Sequence, residues 1–191
     1  MSIVAALYID PEGPYVGLEG VEAWDLARDA RQYRGPWPVV AHPPCKRWGN
    51  YWMGSPSSQK RFHRGDDDGC FAAALWAVRT FGGVIEHPAD SSAWDWFGLF
   101  TPPRLGWGWS TADRFGGRSC AVTQGRYGHV ARKLTWLYAV LPSYPILDWR
   151  ESDTTGTVEL MRKSQRHITP KPFRDMLLDM VRVNAVGGGE E

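Results

Sequence analysis

A cysteine follows a short apolar run and two prolines in residues 38–45, which read PVVAHPPC. Proline can neither continue a β-ladder nor enter the interior of a helix, so this pattern predicts a strand that ends just before Cys45. Ligands of open α/β sheets bind at the carboxyl ends of the strands, where neighbouring chains diverge. The Cys45 thiol is therefore a candidate nucleophile. The alternative is a small buried cysteine that fills the end of a sheet.

A second segment, residues 84–88 with the sequence VIEHP, repeats this pattern and puts Glu86 at another strand exit. A helix that crosses from one strand to the other would make them neighbours, so that Cys45 and Glu86 would face one crevice. Arg132 precedes a later predicted strand and could approach the same crevice. A thiolate can add to C6 of a pyrimidine while a protonated glutamate holds N3 and an arginine contacts the base carbonyl. The alternative for Glu86 is an ordinary surface ion pair.

The alternation of apolar strands and amphipathic segments predicts an α/β fold, with a mostly parallel sheet flanked by helices. The expected strands are residues 2–9, 38–45, 84–88, 120–124 and 134–141, and the expected helices are 21–33, 66–81 and a last one that Thr169 caps and Pro170 begins. We expect one catalytic-like domain over residues 1–186 and a flexible tail over residues 187–191.

The composition excludes several classes of protein. The 22 Lys and Arg nearly balance the 21 Asp and Glu, so any contact with a polyanion must be local. Three irregularly spaced cysteines do not form a disulfide framework and suit a reducing compartment. No apolar run is long enough to span a bilayer, which predicts a cytoplasmic protein without a membrane partner.

Three motifs occur in order along the chain: Pro44-Cys45, then Glu86-His87, then Tyr127-Gly128 ahead of Arg132. Cys45 and Glu86 are 41 positions apart, and Glu86 and Arg132 are 46 apart. In this order and at this spacing the motifs resemble the catalytic series of the DNA cytosine-C5 methyltransferases. The chain also resembles short proteins of phages and prophages. The resemblance covers roughly residues 38 to 141 and implies a truncated, Rossmann-like fold of the methyltransferase type.

The resemblance implies a role for each matching residue. Cys45 would be the covalent nucleophile on a pyrimidine of DNA or of a nucleotide, Glu86 would bind N3, and Arg132 would contact the base. The loop after Cys45 would close over a flipped base. The residues implied to surround that base are His42, Pro44, Arg47, Trp48, Trp52, His87 and Lys133, and those implied to bind S-adenosylmethionine are Asp10, Gly13 and Thr169.

The sequence also departs from that family. The family has a glycine-rich loop for S-adenosylmethionine, whereas Gly13, Gly17 and Gly20 are widely spaced here. The interval between residues 140 and 169 is too short for a target-recognition domain, so a partner protein would have to supply target recognition. His87 follows the glutamate where the family has asparagine, which changes the local hydrogen bonding.

Three alternatives remain open at this stage. His42, Cys45, His63 and Cys70 are four residue types that bind zinc, although their spacing fits no common zinc motif. A shortened fold that keeps the pocket could bind a nucleotide or DNA without chemistry, as an accessory phage protein. Finally, addition at C6 activates C5 toward other electrophiles, so a hypermodification enzyme independent of S-adenosylmethionine could use the same residues.

Overall fold

The computed structural model describes residues 3–54, 61–154, 156, 161 and 168–182. Six strands form one sheet: β1 (Val4–Leu7), β2 (Val21–Trp24), β3 (Val39–Ala41), β4 (Gly83–Pro88), β5 (Arg118–Thr123) and β6 (Leu134–Val140). The helices are α1 (Cys70–Phe81), the short α2 (Ala93–Trp96) and α3 (Lys171–Arg182). Two 3-10 turns occupy Ala30–Gln32 and Gln124–Tyr127. The predicted tail, residues 187–191, lies outside the described residues.

The strand order in the sheet is β2-β1-β3-β4-β6-β5. The pairings β1 with β2, β1 with β3 and β3 with β4 are parallel, whereas β6 is antiparallel to both of its neighbours. The predicted α/β class is confirmed, and the sheet is mixed. Because β6 runs in the opposite direction, its first residues lie beside the last residues of β4.

Apolar side chains cover both faces of the sheet. Along β1, Ala5 and Leu7 belong to the core that α1 completes, whereas Val4 and Ala6 belong to the core that α3 completes. All four residues of β1 and all three of β3 are fully buried. Continuous apolar runs of this kind are typical of parallel strands that are covered on both faces. The two cores therefore fix the positions of the strand ends that carry the candidate site.

The helix α1 connects β3 to β4, as predicted, and its two ends have clear physical causes. The Asp67 carboxylate accepts hydrogen bonds from the backbone N–H groups of Gly69 and Phe71, which satisfies free amides of the first turn. At the other end, Gly82 has a φ of 78° and its N–H returns to the carbonyl of Val78. Gly83 follows with a φ of 125°, where a Cβ would clash with the backbone of Val39.

The predicted helix over residues 21–33 is wrong. Residues Val21–Trp24 form β2, which pairs in parallel with β1. Within residues 21–33, only Ala30–Gln32 form a helical turn, which is of the 3-10 type. The spacing of Val21, Trp24 and Arg28 resembles one helix face, but pairing with a buried neighbouring strand overrides this weak local preference. Arg28 instead lies over the Trp24 ring, with 3.8 Å between its Cζ atom and the ring centroid.

Two remaining expectations concern the last helix and membranes. The helix α3 begins at Lys171, one residue later than predicted, and the carbonyl of Pro170 accepts the N–H of Arg174 at 2.9 Å. None of the helices in the described part of the chain has both the length and the apolar character that a membrane span requires.

Candidate active site

Cys45 and Glu86 line the same cavity, which has a volume of about 570 Å³ and opens at the carboxyl ends of β3 and β4. The two strands are parallel neighbours, with Ala41 opposite Ile85, so the residues that follow Ala41 lie beside Glu86. Lys133, at the start of the reversed strand β6, lines this cavity as well. The strand-and-proline pattern in the sequence thus identified two residues that the fold brings together, although β4 continues beyond Glu86 to Pro88.

The Cys45 thiol is partly exposed and unpaired with any other cysteine. Burial raises the pKa of Cys45, and the negative charge of Glu86 raises it further, whereas the positive charge of Lys133 lowers it. At neutral pH the resting group is therefore a thiol. The amine of Lys133 stabilises the thiolate that a nucleophilic reaction requires.

The Glu86 carboxyl group is ionised in the resting protein. Burial alone would raise the pKa of Glu86, but the hydrogen bond from His42 and the positive charge of Lys133 outweigh it and lower the pKa to about 2. The protonated glutamate predicted from the sequence applies to a bound base and stays a prediction, whereas in the protein without a ligand the group is ionised. An ionised carboxylate only accepts hydrogen bonds, so it can bind the N–H groups of a base edge.

Both oxygens of Glu86 are held by hydrogen bonds. Oε2 lies 2.9 Å from Nδ1 of His42, and Oε1 accepts a hydrogen bond of 3.0 Å from the side-chain amide of Gln124. The second nitrogen of His42, Nε2, lies 2.9 Å from the hydroxyl of Tyr15. The Gln124 amide also donates to the hydroxyl of Thr135 at 3.0 Å. These bonds fix the carboxylate from both sides.

Tyr15, Gln124 and Thr135 were not identified from the sequence. Tyr15 lies 27 positions from His42 and Gln124 lies 38 positions from Glu86, so only the assembled sheet brings these pairs together. Thr135 is 11 positions from Gln124. The sequence contains one signal for Gln124, which directly follows the apolar strand β5. In a similar way, Glu86 directly follows the apolar residues Val84 and Ile85.

The structure puts Lys133 in the cavity and turns the side chain of its neighbour Arg132 elsewhere. Arg132 pairs with Glu151 at 2.9 Å and is half exposed, and it lines a separate groove beside Trp107. Lys133 has a φ of 38°, in the left-handed region that lysine rarely adopts. This backbone conformation distinguishes Lys133 from its neighbour. The placement of Arg132 does not fit the contact with a base that the resemblance implies.

His87 lies in the wall of the cavity, between Glu86 and Pro88. Its side chain is buried on the α1 side of the sheet, and 1% of the residue is exposed. Its Nδ1 lies 2.7 Å from the hydroxyl of Ser91, and its ring packs against Phe71 and Trp94. Burial lowers the pKa of His87 to about 4, so the ring is neutral. His87 therefore shapes the wall of the cavity and supports it.

Two of the residues that follow Cys45, Arg47 and Trp48, serve to fold the loop. Trp48 is 2% exposed, belongs to the α1 core and donates its indole N–H to Asp67 at 2.8 Å. Its buried ring has no free face on which a base could stack. Arg47 donates to the carbonyl of Trp52 at 2.7 Å, and its guanidinium lies 3.3 Å from the centroid of the Phe62 ring. Trp52 is partly exposed, so its ring can still contact a ligand.

A second cavity of about 540 Å³ lies at the carboxyl ends of β1 and β2. It shares Tyr8 and Pro44 with the cavity of Cys45. Its lining is rich in carboxylates but also contains cations and a cysteine: Asp25, Asp29, Asp66, Asp67, Asp68, Arg31, Lys46, Arg47 and Cys70. The two cavities are therefore adjacent and chemically different.

The residues implied to bind a cofactor do not converge. Asp10 is exposed, and its carbonyl and carboxylate accept the N–H groups of Gly13 and Glu12 in a tight turn. A Cβ at Gly13 would come within 2.9 Å of the Asp10 carbonyl oxygen, so the glycine is needed for that turn. Thr169 lines the cavity of Cys45 instead. None of the three lines the carboxylate-rich cavity.

The four residues of the zinc alternative do not converge either. His42 uses one ring nitrogen toward Tyr15 and the other toward Glu86. His63 is exposed on the loop, and Cys70 lines the second cavity. Within the described ranges, no cluster of three or more His, Cys, Asp or Glu is arranged to hold a metal ion.

Neither a scan against protein-family models nor a search of curated proteins finds a significant match for this chain. The functional interpretation therefore depends on the residues of the two cavities and on their chemistry.

Proposed function

We propose that this protein modifies pyrimidines at C5, in DNA or in a nucleotide, through a Cys45 thiolate that adds to C6 of the ring. The observation that carries the proposal is the presence of a thiol, an ionised carboxylate and an ammonium group, those of Cys45, Glu86 and Lys133, on one cavity at the ends of neighbouring strands. These are the nucleophile, the hydrogen-bond acceptor and the cation that such a reaction needs.

The size of the cavity supports a ligand no larger than a nucleotide. Pockets for small molecules typically have volumes of about 300 to 1,000 Å³, and this one measures about 570 Å³. A stacked base inside a duplex could not reach Cys45, so a polymeric substrate would have to present an extruded or single-stranded base.

Each side chain has a defined part in the reaction. The Cys45 thiolate forms a bond to C6, and the π electrons of the C5–C6 bond move into the ring toward N3 and C4. The Glu86 carboxylate accepts hydrogen bonds from N–H groups at that edge, and the Lys133 ammonium stabilises the negative charge that develops on the ring. The electron pair at C5 then bonds to the electrophilic carbon of a donor, and the bond between that carbon and its leaving group breaks. Water takes the C5 proton, and the electrons of the C5–H bond form the C5–C6 double bond again and expel the Cys45 thiolate.

The second cavity is the place for a donor of that carbon. Its carboxylates, above all Asp25 directly after β2, suit a cationic donor that carries hydroxyl groups, and Tyr8 forms part of the shared wall. S-adenosylmethionine supplies an electrophilic methyl group when bound, and its positive charge fits this lining. The strand order, with parallel strands followed by a reversed strand near one edge, is compatible with a Rossmann-like fold of the methyltransferase type.

One observation favours a second candidate function. Burial and the charge of Glu86 raise the pKa of Cys45, so the resting residue is a thiol. An accessory phage protein that only binds pyrimidine nucleotides or DNA would not need a Cys45 thiolate.

Mass spectrometry of covalent adducts separates the two functions. The protein is incubated with oligonucleotides and nucleotides that carry a 5-fluoropyrimidine, with and without S-adenosylmethionine. Once C5 has bonded to an electrophile, fluorine cannot leave as the proton does, so elimination of the Cys45 thiolate is blocked and the covalent complex is trapped. We expect an adduct in the wild type and in Cys70→Ala, whose thiol lies in the second cavity, but none in Cys45→Ala.

The donor dependence gives a second result. An adduct that forms only with S-adenosylmethionine identifies it as the donor, whereas an adduct without it favours a hypermodification enzyme that uses another electrophile. The absence of an adduct on every substrate would overturn the proposed reaction and support the binding function.

A further inference from the structure

The chain of hydrogen bonds behind Glu86 runs from Tyr15 through His42 to the carboxylate, with 2.9 Å at each step. The side chains of His42 and Glu86 are only 11% and 12% exposed, and Tyr15 is 2% exposed. Hydrogen bonds that are shielded from water in this way are strong, and their geometry is narrowly defined. The three groups therefore form one buried unit at the floor of the cavity.

The ionised carboxylate of Glu86 determines the direction of these bonds. It can only accept, so Nδ1 of His42 carries the hydrogen that is donated to Glu86. Burial and the charge of Glu86 raise the pKa of Tyr15, so its hydroxyl keeps its proton and can donate it to Nε2 of a neutral His42 ring. Tyr15 thus supports the tautomer in which His42 donates to the carboxylate.

Gln124 holds the other oxygen of Glu86 but plays a different part. The Thr135 hydroxyl donates to the carbonyl of Lys133, so it accepts from the Gln124 amide, and this fixes the amide N–H groups toward Glu86. An amide is neutral at every pH, whereas an imidazole can carry a proton. The charged or titratable groups that act on the carboxylate are His42, His87 and Lys133, and Glu86 in turn acts on Cys45 and Tyr15.

We propose that Tyr15 and His42 are positioning residues that keep Glu86 ionised and aimed as a pure hydrogen-bond acceptor, so that the cavity selects a pyrimidine edge presenting N–H groups. This inference rests on the proposed function for the identity of the ligand, but the state of Glu86 can be measured without one. If His42 is removed, the hydrogen bond that contributes most to the low pKa of Glu86 is lost, so burial is opposed only by the remaining positive charges and the pKa of the carboxyl group rises.

The direct test is infrared spectroscopy of the carboxyl group across a pH titration, with Glu86→Gln spectra subtracted to assign the band. We expect wild-type Glu86 to remain ionised down to about pH 3, and the His42→Ala variant to show a protonated carboxyl band several pH units higher. His42→Asn is the matched rescue, because its side-chain amide can donate from nearly the position of Nδ1. Tyr15→Phe keeps the buried ring and should give a smaller shift in the same direction.

A second readout connects this state to the ligand. The rate of adduct formation with a 5-fluoropyrimidine is measured against pH in the wild type and in the variants His42→Ala, His42→Asn and Tyr15→Phe. We expect His42→Ala to lose about tenfold or more of the rate at neutral pH, with a new ionisation below which the rate falls, because a protonated Glu86 is a weaker acceptor for the N–H group of the base edge. His42→Asn should restore the wild-type profile, which a purely structural defect would not allow.

The two assays fail independently. An infrared titration that is the same in wild type, His42→Ala and Tyr15→Phe would overturn the positioning role, whatever the adduct assay gives. A shifted titration in a protein that forms no adduct with any pyrimidine would support the positioning role and overturn the proposed reaction.

Discussion

The two adjacent cavities each contain a partly exposed cysteine, but their electrostatic surroundings differ. Cys70 faces a carboxylate-rich lining, and burial together with the charges of Asp67 and Asp68 raises its pKa to about 11. Burial and the charge of Glu86 also raise the pKa of Cys45, but the positive charge of Lys133, which lines the same cavity, lowers it. Exposure alone therefore does not make a nucleophile. What distinguishes Cys45 is that its cation, Lys133, is half-buried, whereas Arg31 beside Cys70 is 43% exposed.

The largest expected effect tests directly which of the two cysteines forms the covalent adduct. Replacement of Cys45 by alanine should abolish the covalent adduct with a 5-fluoropyrimidine, because no other thiol lines that cavity in the described part of the chain. Replacement of Cys70 by alanine should still give the adduct, because its thiol lines the other cavity. Intact-mass spectrometry of both variants measures the outcome. An adduct that survives in Cys45→Ala and disappears in Cys70→Ala would move the reactive site to the second cavity.

The next effect has opposite signs in two assays. Glu86→Gln removes the negative charge that raises the pKa of Cys45, so alkylation of Cys45 by iodoacetamide at pH 7 should become faster. The same substitution removes an acceptor for the N–H groups of the base, so adduct formation should fall about tenfold or more. Peptide mass spectrometry follows both reactions at Cys45, and the alkylation of Cys70 is the internal control. A decrease in both rates would indicate a distorted cavity and would contradict the electrostatic explanation.

A smaller effect tests which of two neighbouring cations serves the site. Lys133→Gly removes the positive charge and relieves a backbone in the left-handed region. Alkylation of Cys45 should slow down, while the free energy of unfolding in urea should change by no more than about 1 kcal/mol. Arg132→Ala is the matched control, because Arg132 pairs with Glu151 away from the cavity. If Arg132→Ala slows alkylation and Lys133→Gly does not, the cation that acts on Cys45 is Arg132, as the sequence motif implies, and not Lys133.

The sequence predicts those parts of the site that depend on local patterns. Cys45 and Glu86 follow from two strands that each run into proline, and the crossover helix between them makes the strands neighbours. Lys133 lines the cavity of Cys45 and Arg132 lines a separate groove, and neither the residue types nor the spacing reveal this difference.

Other parts depend on tertiary packing. The donors to Glu86 come from distant segments, Tyr15 through His42 and Gln124 directly, so no local pattern marks them. In the same way, β2 has a weak helical spacing, and only its pairing with buried β1 makes it a strand. Local sequence therefore predicts the candidate residues Cys45 and Glu86, but the fold determines which residues hold Glu86 in its ionised state.

The smallest expected effect concerns the cation of the second cavity. Arg31 lowers the pKa of Cys70 by its positive charge, but its side chain is 43% exposed and already pairs with Asp29 at 2.7 Å. Salt and water screen such a charge, unlike that of the half-buried Lys133. Arg31→Gln should therefore slow the alkylation of Cys70 only slightly, and the difference should disappear at high ionic strength. If it instead matched the effect of Lys133→Gly on Cys45, the two cavities would be electrostatically equivalent, and the distinction between the two cysteines would have to come from Glu86 alone.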